Sequence, residues 1–173
     1  MIYYISDTHF YHDNIIKICS RPYKNSYEMN LDLIEKWNNK VKPEDEVYFL
    51  GDFSHKSTLE QSIDILQKLN GTKYFIKGNH DSRDFVNFIM QNNLVKWVKD
   101  YAEIKDNNRF VVLCHYPIED WNGQYNGGYH IFGHIHNNTK HNYKVFEKRF
   151  NACVEVIGYE PKTLDELIEL NSK

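Results

Sequence analysis

The chain has 173 residues, of which 41% are hydrophobic and 26% charged, the make-up of an ordinary globular protein. Its formal net charge of -3 argues against a nucleic-acid binder that works by bulk positive charge. No apolar run approaches the ~20 residues that span a bilayer, the N-terminus lacks a basic signal-type region, and Cys19, Cys114 and Cys153 form no CxxC pair, so the expectation is one domain over residues 1–173 in the reducing cytoplasm.

Short β-rich runs alternate with helical patterns along the chain. Strands are predicted over Ile2–Ser6, Glu46–Leu50, Lys73–Ile76, Val98–Ile104, Arg109–Cys114, Tyr129–Phe132 and Lys148–Val156. Between the first two, Met29, Leu33, Ile34 and Trp37 give one apolar face to a helix over Ser26–Lys40. A second helix is expected from Thr58 to Leu69, with Leu59, Ile63, Leu66 and Leu69 as its stripe and Gly71 as its stop. A third covers Ser82–Gln91. The capping-box pattern Thr163-Leu164-Asp165-Glu166 opens a last one through Leu170. Asp106-Asn107-Asn108 reads as a hairpin turn. The order is βαβαβα and then strand-rich, which predicts an α/β sandwich: central mixed sheets with helices outside. In such layers ligand groups gather on loops past the strand C-termini.

Nine histidines are present, and five strand ends break into metal-competent side chains. Asp7-Thr8-His9 follows the first strand and Gly51-Asp52 the second; Gly78-Asn79-His80-Asp81 follows the third. His115 ends Val111–Cys114, and Gly133-His134-Ile135-His136 ends the next strand. Taken alone, each has a bland reading: a turn, a helix entry capped by Asn79 or Asp81, or surface histidines. Five in succession, each preceded by a strand, point to one rim. Carboxylate and imidazole donors without thiolates suit Mn, Fe, Zn, Ni or Co and do not suit a structural zinc finger. The glycines at 51, 78 and 133 permit sharp turns where a metal and a phosphate come close.

These residues resemble the full motif set of the calcineurin-like metallophosphoesterases, from Asp7 to His136. The opening Ser6–His12, the Met29–Trp37 helix and the segment around Tyr159-Glu160-Pro161 are further similar to a branch of short bacterial and phage members. The resemblance implies that Asp7, His9 and His136 hold one divalent cation, that Asn79, His115 and His134 hold a second, and that Asp52 bridges them. His80 would be the catalytic residue, sitting over the phosphate as general acid or electrostatic stabiliser and not binding metal. The cofactors implied are two divalent transition-metal ions, Mn²⁺ foremost, with Fe, Ni, Zn or Co as alternatives.

The implied activity is hydrolysis of a phosphodiester or phosphomonoester by a metal-activated hydroxide. The second motif reads Gly51-Asp52-Phe53-Ser54-His55-Lys56 and departs from the Gly-Asp-x-x-Asp-Arg-Gly pattern of Ser/Thr protein phosphatases, which disfavours that role and leaves open which group orients His80. His12 and His55, three residues beyond His9 and Asp52, are candidate pocket residues. Arg21 and Arg83 are candidate phosphate clamps. The loop Tyr116–Gly128 carries Trp121 and Tyr125, which either stack a nucleobase above the metals or close a small core. The expected partner is therefore a small, nucleotide-like phosphate ester; no membrane is expected, and nucleic acid is not favoured. Two other readings stand beside this one: a non-catalytic metal-bound scaffold of the same fold, and a nuclease acting on exposed nucleic-acid ends.

Overall fold

In the computed structural model, which describes residues 1–138 and 148–172, each predicted strand and helix is present, with changed limits at two places. Strands β1 (Ile2–Ile5), β2 (Glu46–Phe49), β3 (Thr72–Ile76) and β4 (Val98–Lys99) pair in chain order, all parallel. Parallel neighbours need long crossovers, and helices supply them. Helix α1 (Asp13–Ile18) and α2 (Ser26–Lys40) join β1 to β2; α3 (Leu59–Lys68) and α4 (Arg83–Gln91) make the next two links. The second sheet holds β5 (Tyr101–Asp106), β6 (Arg109–Cys114), β7 (Tyr129–Phe132) and β8 (Arg149–Asn151). Its β5–β6 pair is antiparallel, turning through Asn107 and Asn108 at φ 48° and 65°, and β6, β7 and β8 are parallel. The result is the expected mixed α/β architecture of two sheets with helices around them.

Local sequence sets the helix starts. The Asn25 side chain accepts the Glu28 N–H, Thr58 and Gln61 form a reciprocal capping box, Ser82 accepts the Phe85 N–H, and Thr163 with Glu166 caps α6 (Leu164–Asn171) as expected. Met29, Leu33 and Trp37 of α2 are buried. The buried face of α3 is Ser62, Ile65 and Leu66, so Ile63 sits at the edge of the stripe and not in its centre. Tyr4, Tyr48 and Tyr74 are register partners across the first sheet, and Tyr4 donates to Asp106 Oδ2 at 3.0 Å, tying that sheet to the second.

Two predicted strands need correction. The run Val98–Ile104 is two strands in different sheets: after Lys99 the chain turns at exposed Asp100 and begins β5. Both parts are extended, so alternation does not reveal the change of sheet. The run Lys148–Val156 stops at Asn151, whose side chain accepts the Cys153 N–H; Val154–Ile157 is then a short helix, α5, ended by Gly158 at φ +81°. The β-branched Val154 and Val156 favour a strand by propensity, and tertiary context overrides it. Helix α1 was not predicted; its six residues are too few to display a period, though Ile15 and Ile16 anchor it in the core. Among the described residues no helix is long and apolar enough to cross a membrane.

Candidate metal centre

The five strand ends converge because their loops are sewn to one another. The Asp7, His9 and Phe10 N–H groups donate to the carbonyls of Gly51, Asp52 and Phe53, so the loops after β1 and β2 run side by side. Gly133 N–H donates to the His115 carbonyl, and Ser6 N–H reaches the Ala152 carbonyl, which brings the second sheet against the first. Asp7, His9, Asp52, His134 and His136 all have left-handed backbone, with φ between 49° and 71°. Gly51 turns at φ +94°, and Gly78 and Gly133 act by close packing. A Cβ on Gly78 would lie 2.2 Å from Asp52 Oδ1, and one on Gly133 would lie 2.3 Å from Asp7 Oδ2.

The two aspartates are built alike. Asp7 Oδ2 accepts from the Ser6 hydroxyl, the His134 N–H at 2.9 Å and the Cys153 thiol at 3.2 Å, while its Oδ1 is buried with no partner. Asp52 Oδ1 accepts the His80 N–H at 2.8 Å. Its Oδ2 lies 3.5 Å from His9 Nε2 and 3.5 Å from His115 Nε2. Each carboxylate thus has one oxygen tied down and one turned towards imidazoles. Asp7, His9 and His136 form one trio of donors and Asp52, His115 and His134 another, each within 4.8 Å. Asn79 Oδ1 lies 3.0 Å from His115 Nε2 and joins the second.

The imidazoles are oriented from behind. His115 donates from Nδ1 to the Leu50 carbonyl at 2.7 Å, and His136 donates from Nδ1 to Glu155 Oε1 at 3.0 Å. In the neutral imidazole each of them would present its Nε2 lone pair to the centre, the arrangement that second-layer partners impose on metal-ligating histidines. Glu155 in turn holds the buried Arg21, whose other N–H groups donate to the Asp7 and Thr8 carbonyls at 2.7 Å each. Arg21 is thus a brace beneath the first trio, and its predicted role as a phosphate clamp is corrected.

Electrostatics ask for positive charge here. Burial raises the Asp7 carboxyl, with His115 and His136 pulling it back. Burial, with His136 and Arg21, keeps the His9 imidazole neutral, and both its nitrogens are buried without a hydrogen-bond partner. Burial lowers His136 too, yet Cys19, Glu155 and Asp7 outweigh it and lift the imidazole to about 10. A proton is drawn to a place where lone pairs face carboxylates, and a divalent cation would answer the same field. Buried orphan acceptors and the oxygen–imidazole donor set both fit bound divalent cations.

The remaining predicted residues divide. His80 is exposed, its ring 4.6 Å from that of His55 and 5.3 Å from that of His9. His12 lies 4.4 Å from His55 and 5.4 Å from His9, so His12, His55 and His80 gather round His9 of the first trio. Burial pulls His12 down to about 4, with His55 adding to it, and lowers His55 as well. Arg83 is exposed on the first turn of α4. Trp121 is buried over His130 and donates to the Gly128 carbonyl, closing its own loop. Tyr125 is 89% exposed on a short 3-10 turn flanked by left-handed Gly123 and Gly127. With Glu119, Asp120 and Lys148, Trp121 and Tyr125 line a hollow at that turn, and the buried Trp121 takes the second of its two readings, closing a small core.

Three residues escaped sequence reasoning. Asp81 is one of two alternative caps, with Asn79, in the bland reading of its segment; Ser82 is the cap, and the buried Asp81 carboxylate accepts the N–H groups of Asp52, Phe53 and Gly78 at 2.9, 2.9 and 2.7 Å. Its place inside Gly78–Asp81 was the available signal. Glu155 gave none, since its partners lie 19 and 134 residues away. Tyr116 packs against the rings of His134 and His115 at 4.6 and 5.0 Å and went unnoticed among the aromatics of its loop.

Comparison with known proteins agrees with this geometry. A family model described as Calcineurin-like phosphoesterase matches residues 1–94. The uncharacterized protein MJ1445 of Methanocaldococcus jannaschii is 39% identical over 99% of this chain and 92% of its own length. The crystal structure of AQ665 from Aquifex aeolicus, a protein of unknown function, superposes with a TM-score of 0.76 at 28% identity, covering 98% of each chain.

Proposed function

The chain belongs to the calcineurin-like phosphoesterase family, and on that footing we propose that it hydrolyses a small phosphate ester, diester or monoester, at a dinuclear centre. Asp7, His9 and His136 would hold one cation and Asn79, His115 and His134 the other, with Asp52 shared. The observation that carries this reading is the position of Asp52 Oδ2, 3.5 Å from an imidazole nitrogen of each set. Mn²⁺ is the proposed occupant, since carboxylate, amide and imidazole donors suit it. When bound, the cations polarise the phosphoryl oxygens and bring the pKa of a water down to about 7.

The chain's own groups do the rest. Glu155 and the Leu50 carbonyl hold His136 and His115 with Nε2 inward, so no reorganisation is needed when charge develops. Asp52 Oδ1 fixes the His80 backbone, which aims the imidazole across the rim. His80 donates its ring proton to the leaving oxygen, a step worth about 10²–10⁴-fold. His12 and His55, beside it, offer N–H groups to phosphoryl oxygens, and Arg83 supplies a guanidinium from α4. The free thiols Cys19, Cys114 and Cys153 support a reducing, cytoplasmic setting.

The test strips the protein with EDTA and reloads it with Mn²⁺, Ni²⁺, Zn²⁺ or Mg²⁺. Hydrolysis of bis-p-nitrophenyl phosphate and p-nitrophenyl phosphate is then followed beside metal stoichiometry. Turnover that requires two cations per chain is expected. Complete inactivity with both cations bound would hand the site to the scaffold reading, and saturation at one would remove the dinuclear centre.

A further inference from the structure

The geometry points to Tyr116 as a specificity residue: it binds the retained arm of a phosphodiester, and that arm ends in a planar aromatic ring, of which a nucleobase is the biological case. This inference rests on the phosphoesterase reading above and names its substrate class. Tyr116 is 47% exposed, and among the described residues it is the exposed large aromatic whose ring touches the donor cluster, at His134 and His115. The ring is therefore held by two donors of the second trio, and nearly half of the residue remains open to a ligand.

The mount beneath it is rigid. Pro117 follows, and the Ile118 N–H donates at 3.0 Å to Nε2 of His130, a buried imidazole that itself donates from Nδ1 to the Val112 carbonyl at 3.1 Å. Arg149 donates to the Ile118 carbonyl at 3.1 Å. A platform held this way loses little freedom when a ring stacks on it. The imidazoles beside the first trio are different in kind. His12, His55 and His80 gather round His9, and their N–H groups suit phosphoryl or hydroxyl oxygens.

The two sides assign the two arms. His80 borders His9 and His55, so the oxygen it protonates lies on the imidazole side. The group over Tyr116, beside His115 and His134, stays on phosphorus. In the step, a water oxygen bonds to phosphorus and releases a proton to solvent, the bond from phosphorus to the leaving oxygen breaks, and that oxygen takes the His80 proton, which solvent then restores. The products are an alcohol and an aromatic phosphomonoester.

The experiment compares two diesters with the same leaving group: the p-nitrophenyl ester of thymidine 5′-monophosphate, and ethyl p-nitrophenyl phosphate. Wild-type, Mn²⁺-loaded protein is expected to favour the first. Tyr116→Leu should lower that kcat/KM ratio about tenfold, through KM, the loss of one base–aromatic stack, whereas Tyr116→Phe should keep it. A ratio unchanged in Tyr116→Leu would overturn the proposal. Calorimetry on the loaded proteins reads binding alone, with thymidine 5′-monophosphate against methyl phosphate; Tyr116→Leu should weaken the first about tenfold relative to the second. If wild type hydrolyses neither ester, the phosphoesterase reading fails, and the calorimetric ratio still decides Tyr116: equal ratios in wild type and Tyr116→Leu refute it.

Discussion

Gly78→Ala is the smallest change that reaches the centre of the proposed site. The added methyl would sit 2.2 Å from Asp52 Oδ1, 2.4 Å from Asp52 N and 2.9 Å from Asp52 Cγ. Folded proteins do not hold such contacts, so the carboxylate must retreat by about 0.8 Å merely to reach 3.0 Å. Asp52 cannot retreat alone, because its Oδ1 receives the His80 N–H and its own N–H is held by Asp81. One methyl therefore displaces both the proposed bridging ligand and the proposed general acid. Overpacking of this kind costs about 1–3 kcal/mol of stability. Misplacement approaching 1 Å costs turnover about 10²-fold. The assay is kcat on bis-p-nitrophenyl phosphate at saturating Mn²⁺, with metal content by elemental analysis and folding by circular dichroism. Gly158→Ala is the control: at φ +81° with nothing within 4 Å of the new Cβ, it strains the backbone by about 1 kcal/mol and leaves the site intact. If Gly78→Ala purified with two cations and turned over within a few-fold of wild type, the packing account of Asp52 would be wrong.

Other outcomes follow from the same geometry. His80→Asn should bind two cations normally and lose about 10²–10⁴-fold in kcat, read by metal titration beside steady-state kinetics. Glu155→Gln leaves the buried Arg21 without its counter-charge and should cost about 3–5 kcal/mol in urea unfolding, with weaker cation retention through His136. Asp81→Asn replaces one of the acceptors for three N–H groups and should cost about 1–3 kcal/mol at neutral pH. Burial lifts the Asp81 carboxyl from 3.8 to about 6, its N–H partners opposing that shift. In chelated protein its contribution is therefore greatest below pH 4 and declines as pH rises through about 6. Unfolding of wild type and Asp81→Asn across that window should differ by this slope, and parallel curves would refute it.

The donors were legible in the sequence because each sits directly past an apolar run, where chain order and strand order coincide. Asp7 to Gly51 and His115 to Gly133 are then joined by single backbone hydrogen bonds. What lay hidden depends on contacts between distant segments. Glu155 sits on a helix that β-branched neighbours disguise as a strand. Arg21 looked like a surface guanidinium until the fold placed Glu155 and two carbonyls around it. The aromatic loop misled for a different reason. Composition marked Trp121 and Tyr125 alike, but one is buried and the other 89% exposed, and it is Tyr116 whose ring touches His134 and His115.

The left-handed backbone at Asp7, His9, Asp52, His134 and His136 sets folding and function against each other. An L-residue with a side chain sits there at a cost of about 1 kcal/mol or more, and glycine would be relieved of most of it. Drift under selection for folding alone would exchange these five for residues easier to place, and the cation-free protein would become hardier as its chemistry disappeared. A silent descendant of this chain should therefore melt higher than its ancestor once both are stripped of metal, a calorimetric scar of the lost activity.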